Sequence, residues 1–194
     1  MKKTALQFAG QGAQVVGMGR DLAEQFPTAR ALFDQANQTL GIDLSTVCFE
    51  GPEAELTKTE NAQPAIHLVG WAAFQVLKEQ VPGFEFHATA GLSLGEFTAL
   101  AAGGVMSFED SLQVVRQRGR FMQEACEQTL GSMAALIGVE ESVAREICSE
   151  SGVQVANLNC PGQIVISGAA EKIGAACDLA KTKIFAAMSM KAST

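Results

Sequence analysis

Histidine is nearly missing from this 194-residue chain, which has only His67 and His87. The five cysteines (Cys48, Cys126, Cys148, Cys160 and Cys177) are odd in number and widely spaced, with no C-x-x-C pair and no histidine cluster beside them. Neither a structural zinc site nor a disulfide framework is therefore expected, nor any other metal site. No long apolar run opens the chain: after Lys2 and Lys3 the hydrophobic stretch breaks at Gln7 and again at Gly10 and Gly12. That is too short for a signal peptide or a membrane span, so a cytoplasmic protein with no membrane partner is expected. Basic charge is also scarce, with 14 Lys and Arg against 21 Asp and Glu and a net charge of −7. A nucleic-acid surface needs the opposite balance to displace counterions, so no nucleic-acid partner is expected. There is no tandem repeat and no low-complexity tract.

What remains is a chain long enough for one sizeable domain or a domain with a small insert, and 47% hydrophobic, enough to supply a core. Residues 4–9 read as a strand, followed by a tight turn at Gly10-Gln11-Gly12-Ala13-Gln14. Helical periodicity covers 27–40 and 62–80, the second with Asn61 as cap and Pro64 in its first turn. A strand at 87–92 runs into Ser93, a helix follows over 94–102, and Gly103-Gly104 ends it. Ser107 and Asp110 form a capping-box-like pair that opens a helix to about Glu127. Leu130-Gly131 marks a break. Beyond it come strand 133–137, helix 140–149, strand 153–159, a turn at 160–162, strand 163–167, helix 169–181 and strand 184–190. That order, β-α-β-β-α-β, is the ferredoxin-like arrangement. Residues 1–128 read as part of a parallel α/β layer and 129–191 as a separate small unit.

Gly91-Leu92-Ser93-Leu94-Gly95 matches G-x-S-x-G, with a strand before it and a helix after it. Such an elbow holds its serine in a strained turn where bulk on either flank would collide with the strand or the helix. It exposes the hydroxyl at a helix N-terminus, where the N–H of Leu94 and the helix dipole can face an oxyanion. Downstream, at about 100° per residue, Arg116 and Arg120 share a polar helix face, whereas Arg118 falls among Ser111, Val114, Val115, Phe121, Met122 and Ala125 and points inward. A guanidinium keeps its proton, so an inward one needs an anion. A carboxylate from elsewhere in the fold, a snorkelling side chain or a ligand carboxylate would each meet that need.

Together these features resemble the malonyl-CoA:acyl-carrier-protein transacylase family, which includes the acyltransferase domains of fatty-acid and polyketide synthases. The resemblance runs through Phe8-Ala9-Gly10-Gln11-Gly12-Ala13-Gln14, Ala62-Gln63-Pro64-Ala65, the elbow with Glu96, Arg118-Gly119-Arg120-Phe121-Met122-Gln123, and Asn157-Leu158-Asn159-Cys160-Pro161-Gly162-Gln163. It implies a partial α/β-hydrolase-like core interrupted by the ferredoxin-like insert. Ser93 would be the acylated nucleophile, the N–H groups of Gln11 and Leu94 the oxyanion hole, and Arg118 the clamp on the malonyl carboxylate, with Gln63 and Asn159 at cleft positions. Malonyl-CoA is the implied substrate, an acyl carrier protein with its phosphopantetheine the implied partner, and no bound cofactor is implied. Both partners are anionic, so an acidic protein must offer them a local basic patch.

The resemblance also has departures. Ala9 replaces a proline, Leu92 stands where many members have histidine, and Cys160 replaces a serine and is expected only to pack. The family's catalytic histidine follows the insert in a Gly-Ala-Phe-His-Ser-like motif, and residues 1–194 hold no such motif. A C-terminally truncated member of weak or no activity is the expectation, with the core after 194 missing. A serine hydrolase or thioesterase using the same elbow, or a non-catalytic carrier-binding module, are the alternatives.

Overall fold

A computed structural model describes residues 3–128 and 130–191. The chain divides into two compact units, Met1–Glu124 and Ala125–Thr194.

The first unit is a mixed α/β layer. Strand β1 (Ala5–Phe8) and strand β2 (Ala88–Gly91) pair in parallel, with Ala5 opposite Ala88 and Phe8 opposite Gly91. Parallel neighbours need a long crossover. Here it is helical: α1 (Arg20–Gln25), α2 (Pro27–Leu40), α3 (Leu44–Glu50), α4 (Glu53–Thr57) and α5 (Thr59–Gln80). After β2 come α6 (Leu94–Ala102) and α7 (Phe108–Gln128). The core lies among these helices, where Phe33, Leu44, Leu56, Leu68 and Leu112 are fully buried around Ala29, Ala36, Ala65 and Ala72.

Helices α1, α3 and α4 have no counterpart in the sequence pattern, because five to seven residues are too few for a 3.6-residue period to accumulate. Helix α3 is instead specified at its end: Asp43 Oδ1 accepts from the Thr46 N–H at 3.0 Å and Oδ2 from the Thr46 hydroxyl at 2.8 Å. The Thr46 N–H bond is the main reason the Asp43 carboxyl is held below its usual range, as expected of an N-cap.

Helix α5 corrects the expected start at residue 62. It begins at Thr59, whose N–H donates to Gln123 Oε1 at 3.2 Å, so a leading donor is met from α7 and the helix extends one turn further back. Asn61 is then inside the helix, donating to the Glu55 carbonyl at 2.9 Å. Pro64 lies beyond the first turn.

In the second unit, β3 (Gly131–Ile137), β4 (Gln154–Cys160) and β5 (Gln163–Ala169) form an antiparallel sheet in the order β3-β5-β4. Helices α8 (Glu141–Ser151) and α9 (Ala170–Lys191) accompany it. Leu136, Ala144, Ile147, Ile164, Ile166, Ile173 and Ala176 make its core. The strand expected at 184–190 is not formed: α9 continues through it to Lys191. A short apolar run does not by itself separate strand from helix, and Ala186, Ala187, Met188 and Met190 favour a helix already propagating with no Gly or Pro to stop it. The observed order is β-α-β-β-α. Among the described residues, no helix is long and apolar enough to cross a membrane, and no three His, Cys, Asp or Glu side chains are grouped to hold a metal.

Candidate active site

Ser93 sits between β2 and α6 with φ 51° and ψ −101°, the only non-glycine with positive φ among the described residues. Holding a side-chain-bearing residue there costs about 1–3 kcal/mol and persists only where the surroundings impose it. The flanking glycines impose it. A Cβ on Gly91 would stand 2.0 Å from the Gly95 carbonyl carbon, and one on Gly95 would stand 2.4 Å from the Phe8 carbonyl oxygen. Strand, helix and the end of β1 therefore meet backbone to backbone at the elbow. Glu96 completes the turn, its Oε1 accepting from the Ser93 N–H at 3.1 Å.

The glutamine turn lies against the same bend, because a Cβ on Gly10 would be 2.6 Å from the Leu92 carbonyl oxygen. Gln11 follows on that turn, exposed, and its side-chain amide donates to Thr59 Oγ1 at 3.3 Å. Leu94 is the first residue of α6 and its side chain is fully buried. Its N–H is one of the leading donors that a helix leaves without an internal acceptor, at the positive end of the dipole.

Arg118 reaches this bend from α7. Its Nη2 donates to Ser93 Oγ at 2.7 Å and its Nη1 to Gln63 Oε1 at 2.5 Å, with the guanidinium carbon 5.7 Å from the centre of the Phe97 ring. Gln63 is fully buried and its Nε2 donates to Met122 Sδ at 3.0 Å. Among the described residues no carboxylate pairs with Arg118. The inward orientation expected for Arg118 needs correction. Ser111 and Val115 are buried, but Val114, Phe121 and Met122 are 42%, 60% and 37% exposed. The helix face turns from core to open surface along its length, and Arg118 stands half-buried at the transition, over the serine rather than in the core.

Gly119 explains how α7 comes so near. A Cβ there would be 2.8 Å from the Thr59 carbonyl oxygen, so only a glycine lets the two helices touch. Arg116 was missed by the helical wheel, which placed it on the polar face. Its Nη1 donates to the Glu60 carbonyl and to Asn61 Oδ1, the latter at 2.8 Å, and its Nη2 lies 3.6 Å from the Glu60 carboxylate. Burial lowers its pKa. The signal in the sequence was Pro64, which leaves the carbonyl four residues earlier without its helical donor.

Neither histidine bonds to Ser93. His67 is fully buried between two hydroxyls, Nδ1 at 2.9 Å from Thr98 Oγ1 and Nε2 at 2.9 Å from Ser111 Oγ, and burial pushes its pKa down to about 4. His87 Nδ1 accepts from the Thr4 N–H at 3.3 Å. Asn159 belongs to the other unit, on an exposed stretch of β4. Cys160, expected to pack, is exposed at the end of that strand.

The structure thus brings Ser93, Arg118 and Gln63 into one hydrogen-bonded group and sets Leu94 and the Gln11 turn beside it. Chemically, this is a hydroxyl in a strained turn at a helix N-terminus, next to a cation whose hydrogen-bond partners among the described residues are neutral.

Residues 7–192 match the model of the acyl transferase domain family. The chain is 48% identical over 186 residues to the malonyl CoA-acyl carrier protein transacylase of Bacillus subtilis strain 168, covering 93% of this chain and 58% of that protein. For the protein of the same name in Escherichia coli strain K12 the identity is 40%, over 94% of this chain and 61% of the relative. The crystal structure of acyl-carrier-protein-S-malonyltransferase from Bartonella henselae superposes with a TM-score of 0.88 at 42% identity, covering 94% of this chain and 60% of that one. A complex of a type II PKS acyl-carrier protein with its malonyl-transacylase gives 0.87 at 38%, over 94% and 60%. The chain spans about three fifths of the length of these relatives. It belongs to the acyl transferase domain family and within it resembles the malonyl CoA-acyl carrier protein transacylases.

Proposed function

We propose that this chain holds the nucleophile and the acyl-recognition group of a malonyl transferase. Ser93 Oγ attacks the thioester carbon of malonyl-CoA, the C–S bond breaks, coenzyme A leaves as the thiol, and a malonyl ester remains on Ser93. The phosphopantetheine thiol of an acyl carrier protein then attacks that ester and takes the malonyl group, returning the proton to Ser93. The N–H groups of Gln11 and Leu94 face the oxyanion in both steps. Arg118 holds the distal carboxylate, which selects a diacid and anchors it while the two thiols exchange. Gln63, buried and bonded to the other guanidinium arm, sets the direction of Arg118, and Asn159 is read as a cleft residue from its motif.

The observation that supports this reading is the Arg118 Nη2 to Ser93 Oγ distance of 2.7 Å, a cation within reach of the far end of an acyl group on Ser93. The substrate and the partner's phosphopantetheine supply all the chemistry, with no resident cofactor. The setting is the cytoplasm, in fatty-acid or polyketide synthesis.

Ser93 also needs a base. His67 and His87 are engaged elsewhere, and loss of a triad-type partner lowers rates by about 10³ to 10⁶. The base is expected in the portion of the relatives that this chain does not span. In fold terms we read 1–128 as the first part of an α/β-hydrolase-like core, supported by the parallel β1–β2 pair leading into the elbow. We read 129–191 as a ferredoxin-like subdomain without its last strand, a reading supported by the β-α-β-β-α order and the antiparallel arrangement β3-β5-β4.

Incubation with malonyl-CoA followed by intact-mass measurement tests the function. A malonyl adduct accumulating on the wild type and not on Ser93→Ala, and passing to holo carrier protein, is expected. Release of free malonate instead would make the chain a hydrolase, and carrier binding without any adduct would make it a non-catalytic module.

A further inference from the structure

Pro64 interrupts the donor series of α5. An α-helix assigns the N–H of residue 64 to the carbonyl of Glu60, and proline has none. A bare carbonyl in a packed region needs another donor. Arg116 provides it: Nη1 donates to the Glu60 carbonyl and to Asn61 Oδ1, while Nη2 faces the Glu60 carboxylate at 3.6 Å. One turn further along α7, Gly119 presses the helix backbone onto Thr59 and Glu60, where a Cβ would be 2.8 Å from the Thr59 oxygen and 3.0 Å from the Glu60 Cα. Between these two contacts stands Arg118, whose fork spans Gln63 on α5 and Ser93 at the head of α6.

We propose that Arg116 is a positioning residue: by filling the carbonyl that Pro64 leaves open, it locks the rotation and register of α7 on α5 so that the Arg118 fork meets Ser93 and Gln63. The inference rests on Ser93 and Arg118 forming the acyl site. A rotation of α7 by one residue, about 100°, would carry Arg118 away from both partners. Arg116 lies two residues from Arg118 and points to the opposite side of the helix contact, so it touches no acyl group itself. Its guanidinium suits the task because it cannot lose its proton even when partly buried, and its several donors can meet a carbonyl, an amide oxygen and a carboxylate together.

The mechanism makes a specific demand on Pro64. An N–H restored at position 64 gives the Glu60 carbonyl its helical donor, and Arg116 then becomes dispensable. The test is a cycle of Arg116→Met, Pro64→Ala and the double variant, with helicity checked by circular dichroism. Arg116→Lys, which keeps one donor to the carbonyl, serves if Arg116→Met does not fold. The first readout is the ¹⁵N side-chain spectrum of Arg118, assigned with Arg118→Met. The wild type should show separate guanidinium hydrogens held by Ser93 and Gln63, Arg116→Met should show them averaged, Arg116→Lys should fall between, and Pro64→Ala/Arg116→Met should restore them. The second readout is calorimetric titration with malonyl-CoA and with acetyl-CoA. Arg116→Met should weaken malonyl-CoA binding about tenfold and leave acetyl-CoA unchanged, as for loss of one well-aimed charge-assisted pair. Arg118 signals that stay resolved in Arg116→Met, that are already averaged in the wild type, or that remain averaged in the double variant overturn the proposal. A wild type that binds both thioesters equally sinks the acyl-site reading instead, and the Arg118 spectra still decide whether Arg116 positions it.

Discussion

Gly91 and Gly95 face each other across the bend so closely that a single methyl on Gly91 would stand 2.0 Å from the Gly95 carbonyl carbon. The contact is backbone against backbone, and no flexible side chain can yield. Gly91→Ala should therefore open the elbow, destabilise the first unit by about 1–3 kcal/mol or more as overpacking does, and abolish adduct formation on Ser93. Gly174→Ala is the control, since nothing lies within 4 Å of a Cβ there. In a helix it should be neutral or stabilising by up to about 1 kcal/mol. Thermal unfolding of the two variants side by side checks both.

His67 supplies a pH signature. Ser111 Oγ donates to the Phe108 carbonyl at 2.9 Å, so its oxygen is left to accept from Nε2–H, and Nδ1 accepts from the Thr98 hydroxyl. The buried imidazole is neutral. Unfolded, it takes a proton near pH 6.5; folded, burial holds that back to about 4. Between those values the unfolded chain binds more protons. The stability from neutral burial is thus complete above pH 6.5 and is lost as pH falls toward 4, by about 3 kcal/mol across the window. Denaturant titrations at several pH values should show a steeper acid loss for the wild type than for His67→Gln. Equal slopes would mean that the ring is not buried uncharged.

The cysteines should separate by position. Burial pushes the Cys48 thiol up to about 12 and raises that of Cys148, whereas Cys126 and Cys160 are exposed. The thiolate is the reactive form. Peptide mapping after brief alkylation near neutral pH should find Cys126 and Cys160 modified, and Cys48 modified only after unfolding. Early labelling of Cys48 would contradict the packing of α3.

Much of the first unit was legible in the sequence because its boundaries are made locally. Helix α2 has proline at its start and glycine after its end, and α6 is bounded by the elbow and Gly103-Gly104. The elbow could be read because its two glycines and serine carry the whole constraint within five residues. The run 184–190 could not, since seven mostly apolar residues suit a strand or the last turns of a helix, and the choice falls to continuity with α9. Arg118 was found by its helix face, but its partners come from α5 and α6, and a wheel drawn for one helix cannot show them. Arg116 was hidden for a related reason: its main acceptor is a backbone carbonyl bared by a proline more than fifty residues earlier.

In the proposed function, Arg118 reads the carboxylate of an acyl group held on Ser93. The most direct measurement is the Ser93 adduct formed from malonyl-CoA and from acetyl-CoA in parallel, by intact mass, for the wild type and Arg118→Ala. The wild type should favour malonyl, and Arg118→Ala should lose that preference by about 10- to 100-fold, the worth of a charge-assisted pair, and turn toward acetyl. An unchanged preference in Arg118→Ala would mean that Arg118 does not recognise the acyl group.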